Sequence, residues 1–455
     1  MKTFTIHLWS RLRVSYWFVP GMAVALAALL AWGCVALDHA LGDTLPEAFP
    51  RLGRISAGGM RSLLSTAATA VLTLAGLTFS ATLVALTLAS SQFGSRLLRN
   101  FIRSMPNQVA VGVLLATFVL CLIVLRNVLG SGSAADPQVF VPHVAGLVAF
   151  GATLLSLGTF IYFVHHIATS LQADHIVAAV HRELDRALER HFPDARPDER
   201  DEQEAREDKR EWEEIDDETV LVASRSGYLQ AVDTDGLLES AIRRDLRCRL
   251  LYRPGQFVVQ GQELLTLTRL PDGCDRDAVQ EDLLEHLIVG GIRTAEHDFE
   301  FCLRQLVEIA LRALSPGIND PFTAIICIDY LGAALAKVAG RRLPARTFHD
   351  ERGVARVRVR PTMFADLVAA AFAQLPQAAG DRPDIAIRLL EAFAAIACAT
   401  RTEAHWEAIR TEADAVAARA LADLDHDGDR AAVEEARAAV SAAWSGAGGR
   451  SVSGA

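Results

Sequence analysis

SLLSTAATAVLTLAGLTFSATLVALTLASSQFGS (62–95) runs for 34 residues without a charge. A helix rises 1.5 Å per residue, so about 20 apolar residues cross the roughly 30 Å hydrocarbon core of a bilayer. This stretch is longer than one crossing needs. It sets the reading of the whole N-terminal region, because three more uncharged runs flank it: Trp17–Leu37, Ser104–Leu125 and Pro137–Ala173. Backbone in hydrocarbon must satisfy its own hydrogen bonds, and a helix does so locally. The pattern predicts a multi-pass α-helical membrane protein with four transmembrane helices near 16–37, 63–90, 108–129 and 142–164. The first run is too long for a signal peptide's apolar core and has no clean small-residue cleavage site after it, so it reads as a retained helix.

Charge divides the chain at the same place. Of its 455 residues, the first 170 carry ten Lys/Arg and four Asp/Glu, a net +6. The remainder carries −16, giving −10 overall. Orientation follows the basic residues of short loops. Lys2, Arg11 and Arg13 precede the first helix, and Arg96, Arg99 and Arg103 follow the second. Both termini are therefore expected in the cytoplasm, with Arg51, Arg54 and Arg61 placed in an external loop beside Asp38, Asp43 and Glu47. The acidic remainder argues against nucleic acid as a partner.

Within the long run, Ser65, Thr69, Thr73, Gly76, Ser80, Thr87 and Ser91 recur mostly at three- and four-residue steps and share one helix face. Two readings fit: close helix packing through small residues, or the hydrophilic lining of a pore. No Asp, Glu, Lys or Arg lies deep in a span, which argues against an ion-coupled transporter but not against a passive pore.

Past the membrane region, Ile176, Val177, Val180, Leu184, Leu188 and Phe192 mark an amphipathic connecting helix over 169–193. Its histidines, His175, His181 and His191, read as solvated. An acidic linker follows at 194–218, with fourteen Asp/Glu against five Lys/Arg. TVLVASRSGYLQAV and LRCRLLYRPGQFVVQGQELLTLTR predict a small β module over 219–275, with turns at Gly255 and Gly261. PGQFVVQGQELL is similar to the turns of barrel-sandwich carrier domains, but no lysine occurs between 219 and 268 to carry a cofactor. An α-helical domain over 276–445 and a tail at 446–455 complete the soluble α+β region, with helices at 299–314, 322–338, 361–376, 383–399 and 402–444.

The loop SPGINDP (315–321) has the chemistry of a stiff corner: a glycine after one helix, an N-cap at Asp320 and Pro321 in the first turn of the next. Asp298, Arg304, Gln305, Arg312, Ser315, Asn319, Asp320 and Asp329 gather polar groups around it in sequence. An acid–base pair with an arginine there would suit an anion or small polar ligand. The cysteines at 34, 121, 248, 274, 302, 327 and 398 show no CxxC spacing and read as reduced thiols. No sequence pattern for a metal, a cofactor or a catalytic nucleophile occurs.

RLRVSYWFVP (11–20), FSATLVALTLASSQFGSRLLRNF (79–101), FVPHVAGLVAF (140–150), IYFVHHIATSLQ (161–172), RSGYLQAVD (225–233), RPGQFVVQGQEL (253–264) and RQLVEIALRALSPGINDPFTA (304–324) resemble the bacterial family called domain of unknown function 2254. The resemblance implies a membrane start and a soluble C-terminal region within one protein; it brings no catalytic residue. The expected role is a non-enzymatic inner-membrane protein, oligomeric and channel-like or ligand-responsive, with a cytosolic sensing domain. The alternatives are a membrane-anchored scaffold for a cytosolic protein and a membrane-bound enzyme using the corner around Arg304 and Asp320.

Overall fold

The structure, a computed structural model, describes residues 17–41, 55–93, 105–129, 140–170, 172–192, 218–268, 275–294, 297–344, 346–360 and 362–448. The N-terminal basic segment, Arg51, Arg54, the Arg96–Arg103 loop, Cys274, the acidic run up to Asp217 and the end of the tail lie outside these. The chain divides into two compact units, Met1–His175 and Ile176–Ala455.

Among the described residues the first unit has four helices: α1 (Phe18–Leu41), α2 (Ala57–Phe93), α3 (Met105–Arg126) and α4 (His143–Ser170). Each predicted span falls on one of them. α2 starts earlier than expected, where Ser56 Oγ accepts from Gly59 N at 3.1 Å, and α4 runs further. α3 is the central element and packs on the other three. At Gly112 the α1 backbone comes so close that a Cβ would lie 3.3 Å from Pro20 Cα, the close approach that small residues permit.

At one end of the bundle the helix termini complete one another. Asp38, counted as a loop acid from sequence, lies inside α1 and is buried. Its Oδ1 accepts from Val144 N and its Oδ2 from Ala145 N, both at 2.9 Å, so α1 supplies the N-terminal cap of α4. Arg61, also read as a loop residue, belongs to α2 and donates to Val128 O at 2.9 Å, just beyond the end of α3. An anion on a helix N-terminus and a cation near a C-terminus both oppose the helix dipole. His39 stacks on Phe140 with ring centroids 3.9 Å apart, and Leu129 and Phe140 form a backbone bridge.

The second unit opens with α5 (Ala173–His191), which buries Val177, Val180, Leu184 and Leu188 as its pattern predicts. His181 is not simply solvated: it stacks on Tyr330 at 4.1 Å. The strands are β1 (Glu218–Val222), β2 (Gly227–Val232), β3 (Cys248–Leu250), β4 (Phe257–Val258), β5 (Glu263–Thr268), β6 (Leu287–Gly290), β7 (Thr347–His349) and β8 (Ala355–Arg358). They form a five-stranded sheet, β1-β5-β3-β8-β7, and a three-stranded sheet, β4-β2-β6. The expected all-helical 276–445 is therefore corrected, since β6, β7 and β8 come from it and complete sheets begun before 275. LIVG (287–290) reads as a strand once its alternation is seen, with Leu287 and Val289 inward and Ile288 outward.

The helices between and after these strands are α6 (Thr234–Arg243), α7 (Arg276–Leu284), α8 (Phe299–Ala313), α9 (Pro321–Ala339), α10 (Phe364–Phe372), α11 (Leu375–Ala379), α12 (Pro383–Ala399), α13 (Glu403–Asp423) and α14 (Asp427–Gly448). Two expected helices are each divided. Pro376 restarts the chain as α11, because proline is tolerated only in a first turn. Residues 424–426 supply the turn between α13 and α14, where Arg430 donates to Leu424 O at 3.0 Å. Among the described residues, length and apolarity qualify five helices to cross a membrane, α1 to α4 and also α9. α9 packs on α8 and α12, with Cys327, Ile328, Leu331, Leu335 and Val338 fully buried.

Two predictions follow from these contacts. Asp38→Ala should lower the melting temperature of the membrane unit through loss of about 1–2 kcal/mol, measured by thermal denaturation in detergent, with Asp38→Asn keeping most of the stability. His405 in α13 stacks on Phe364 at 4.2 Å, and burial pushes its pKa from 6.5 down to about 4 despite a hydrogen bond to Ala339. The fold keeps this imidazole neutral where the unfolded chain would protonate it. Stability is therefore full above pH 6.5 and falls toward pH 4, by about 3 kcal/mol. Fluorescence of Trp406, stacked on Trp444 at 5.5 Å, should report the transition, and His405→Gln should flatten its pH dependence.

Candidate functional site

Of the eight residues expected around one corner, Asp298, Arg304, Gln305, Ser315, Asn319 and Asp320 occupy three places. Asp298 is the N-cap of α8, while Ser315, Asn319 and Asp320 follow its C-terminus. The two ends are about 25 Å apart along the helix. Arg304 and Gln305 lie between them. Arg304 pairs with Glu300 at 2.7 Å, and Gln305 is buried with no hydrogen bond to its Oε1.

The 315–321 loop is the stiff corner its sequence describes. Ser315 Oγ donates to Arg312 O at 2.6 Å, Asn319 N to Ser315 O at 2.9 Å and Asp320 N to Ala313 O at 2.8 Å. Asp320 caps α9 by accepting from Thr323 N at 3.1 Å and Thr323 Oγ1 at 2.6 Å. Asn319 takes the left-handed conformation, φ +52°, and accepts from Arg382. The remaining polar groups are also paired, Arg312 with Glu308 and Asp329 with Arg388. These bonds hold the corner rigid.

A cleft does exist at the other end of α8. It encloses about 50 Å³ among His191, Phe192, Arg253, Pro254, His297, Asp298, Phe299, Glu300, Pro344 and Thr362. Its charges form a chain of pairs. Arg253 donates to Glu300 Oε2 at 2.6 Å and to Asp366 Oδ2 at 2.8 Å. Arg293 holds Asp298 Oδ2 through Nε at 2.8 Å and Nη2 at 2.6 Å, and Asp298 Oδ1 accepts from Phe301 N at 3.0 Å. Burial pushes the Asp298 carboxyl up, while Arg293 pulls it back. Phe192 and Phe299 form an edge-to-face apolar wall, 4.9 Å between centroids.

Sequence reasoning named Asp298 but missed Arg253, Arg293, Glu300 and His297. The one local signal is the turn at Gly255, whose φ is +92°. A Cβ there would lie 2.0 Å from Asp298 Oδ2 and 2.9 Å from Arg293 Nη2. The glycine of the 253–264 segment thus lets the loop backbone lie against the buried ion pair. Among the described residues no cluster of three metal-ligating side chains occurs. Burial drives the thiols of Cys248 and Cys302 up to about 12, which makes them poor nucleophiles.

The α2 stripe takes an unexpected direction. Thr69, Thr73, Gly76, Ser80, Thr87 and Ser91 are all exposed. At about 100° per residue they fall within an arc of about 60°. The packed face of α2, formed by Leu64, Ala67, Val71, Thr78, Ala85 and Ala89, lies opposite. Among the described residues, therefore, the stripe has no packing partner. Its threonines are hydrogen-bonded to the preceding turn, Thr69 to Ser65 O, Thr73 to Thr69 O and Thr87 to Leu83 O, at 2.8–2.9 Å.

Apolar helices bundled around α3, followed by a mixed α/β unit with a charged cleft, define a multi-helix membrane protein. The chain belongs to the family described as predicted membrane protein DUF2254, whose model matches residues 13–395. It is similar to uncharacterized proteins of Mycobacterium tuberculosis, strains H37Rv and CDC 1551, and of Mycobacterium bovis. Each is 30% identical over 424 residues, covering 93% of this chain and 79% of the relative. No solved structure matches it.

Gly255→Ala should destabilise the second unit by about 2–4 kcal/mol, since it adds backbone strain and displaces a buried ion pair. Urea unfolding measures this, and Gly261→Ala, at φ +83° with nothing within 4 Å of its Cβ, supplies the comparison for strain alone.

Proposed function

We propose that this protein is a non-enzymatic homo-oligomer of the bacterial plasma membrane in which the α2 stripes of adjacent copies line a polar, channel-like path. Four helices, α1 to α4, cross the bilayer, and both termini lie in the cytoplasm together with the second unit, which acts as a ligand-responsive domain. The direction of the stripe carries this reading: a row of hydroxyls opposite the packed face of a membrane helix meets either lipid or another copy. The interior of the first unit supports it, since Leu64, Leu114, Cys121 and Val124 are fully buried and fill the space a path through one bundle would need. α2 is 37 residues long, about 55 Å, so it outreaches the hydrocarbon core.

The orientation rests on Arg96, Arg99 and Arg103 in the α2–α3 connection. Asp38 and the N-terminus of α4 then belong to the outer side.

Purified protein reconstituted in liposomes should pass small solutes. Thr73→Leu and Ser80→Leu should reduce that flux several-fold with unchanged helix content, whereas Leu72→Ala beside the stripe should leave it near wild type. Thr73→Cys should crosslink copies in the membrane. A protein that crosslinks but passes no ion or small solute would reduce the stripe to a packing surface.

A further inference from the structure

The cleft at the N-terminal end of α8 has a one-sided supply of hydrogen-bonding groups. Its carboxylates are already occupied. Glu300 accepts from Arg304 Nε on Oε1 and from Arg253 Nη2 on Oε2. Asp298 accepts from Phe301 N on Oδ1 and from Arg293 on Oδ2. Both acids are well shielded from solvent, with side-chain exposures of 14% and 4%. The donors are not exhausted. A guanidinium presents N–H groups on three nitrogens, and Arg253 commits one N–H of Nη1 to Asp366 and one of Nη2 to Glu300. The second N–H of each, and Nε–H, have no acceptor among the described residues. His297 and the Thr362 hydroxyl add to them at the cleft wall. His191 is not one of them: it donates Nδ1–H to Ala187 O at 2.8 Å, which leaves Nε2 of the neutral ring an acceptor.

We propose that this cleft binds a small oxyanion, a carboxylate or phosphoryl group, on Arg253 and His297. The side chains balance Arg253, Arg293 and Arg304 against Asp298, Glu300 and Asp366, so an entering anion meets a neutral cluster with unused donors. The planar fork of arginine suits both oxyanion classes. The space of about 50 Å³ accepts one such group. The rest of a larger ligand would lie outward along Phe192, Pro254 and Pro344. A cation is disfavoured, because each oxygen of Asp298 and Glu300 already accepts a hydrogen bond, three from arginines and one from Phe301 N. The site lies wholly in the second unit and does not depend on how copies associate, so flux and anion binding succeed or fail separately.

The test is titration of the purified full-length chain with inorganic phosphate and, separately, with acetate at constant ionic strength, followed by ³¹P and ¹³C line broadening. Saturable binding of at least one is expected, and the tighter of the two identifies the group. Arg253→Gln should weaken it about tenfold, the loss of a charge-assisted hydrogen bond. Arg253→Lys, which keeps the charge and loses the fork, should weaken it less. His297→Ala, which breaks no ion pair among the described residues, should weaken it several-fold, and it decides the matter if Arg253→Gln fails to fold. Arg410→Gln, at a distant exposed pair, should bind as wild type. Absence of saturation with both probes, or an equal loss in Arg410→Gln, overturns the proposal.

Discussion

A hydroxyl or amide in hydrocarbon has no water to turn to, and the first unit is organised around that constraint. Its threonines return their protons to the helix that carries them, as Thr69, Thr73, Thr87, Thr153 and Thr159 all do to the carbonyl four residues earlier. Where two helices meet, the polar groups pair across the contact: Ser156 Oγ donates to Thr117 Oγ1 at 2.9 Å. Where helices end, the orphaned backbone groups are completed by side chains from a neighbour, Asp38 for α4 and Arg61 beyond α3. Back-bonding of this kind lets a membrane helix carry hydroxyls outward without leaving donors unsatisfied. That makes the outward stripe of α2 affordable in the membrane, though it does not by itself explain why it is there.

The second unit meets the opposite situation, with water available and charge abundant. Its order depends on α8. This helix buries Phe299, Cys302, Leu303, Leu306, Ile309 and Ala310 on one face, against α9 and α10. Its N-terminus is fixed by Asp298, its C-terminus by the 315–321 corner. A rigid rod anchored at both ends holds Glu300 at a constant distance from the β3–β4 loop that bears Arg253. The cleft exists because the loop, the rod and the end of α5 meet there, and Gly255 lets the loop come close enough.

The helices of the first unit were legible because hydrophobic runs of this length have few alternatives. α5 and the corner were legible for a similar reason, since period and capping chemistry are local. What sequence did not reveal depended on distance along the chain. Arg253 meets Glu300 across 47 positions and Asp366 across 113. Strand β8 pairs parallel with β3 from a hundred residues away, and a four-residue segment such as ARVR carries too little pattern to announce it. The gathering of Asp298 with Asp320 was an artefact of reading a helix as though its ends were neighbours. Asp38 shows the converse: counted as a loop acid by its position after an apolar run, it is the cap of a helix that begins more than a hundred residues later.

The −16 of the post-membrane chain is not spread evenly. In the described part of the second unit, arginines answer many of the acids pair by pair: Arg244 to Asp282, Arg253 to Glu300, Arg293 to Asp298, Arg341 to Glu189, Arg356 to Asp350 and Arg388 to Asp329. Most of the surplus acid is concentrated in the single run 194–218, at −9. Net charge therefore says little about any one site here. An arginine whose carboxylate partners are saturated still presents unused N–H groups, and a cleft built from such pairs favours acceptors even in a chain whose overall charge is negative.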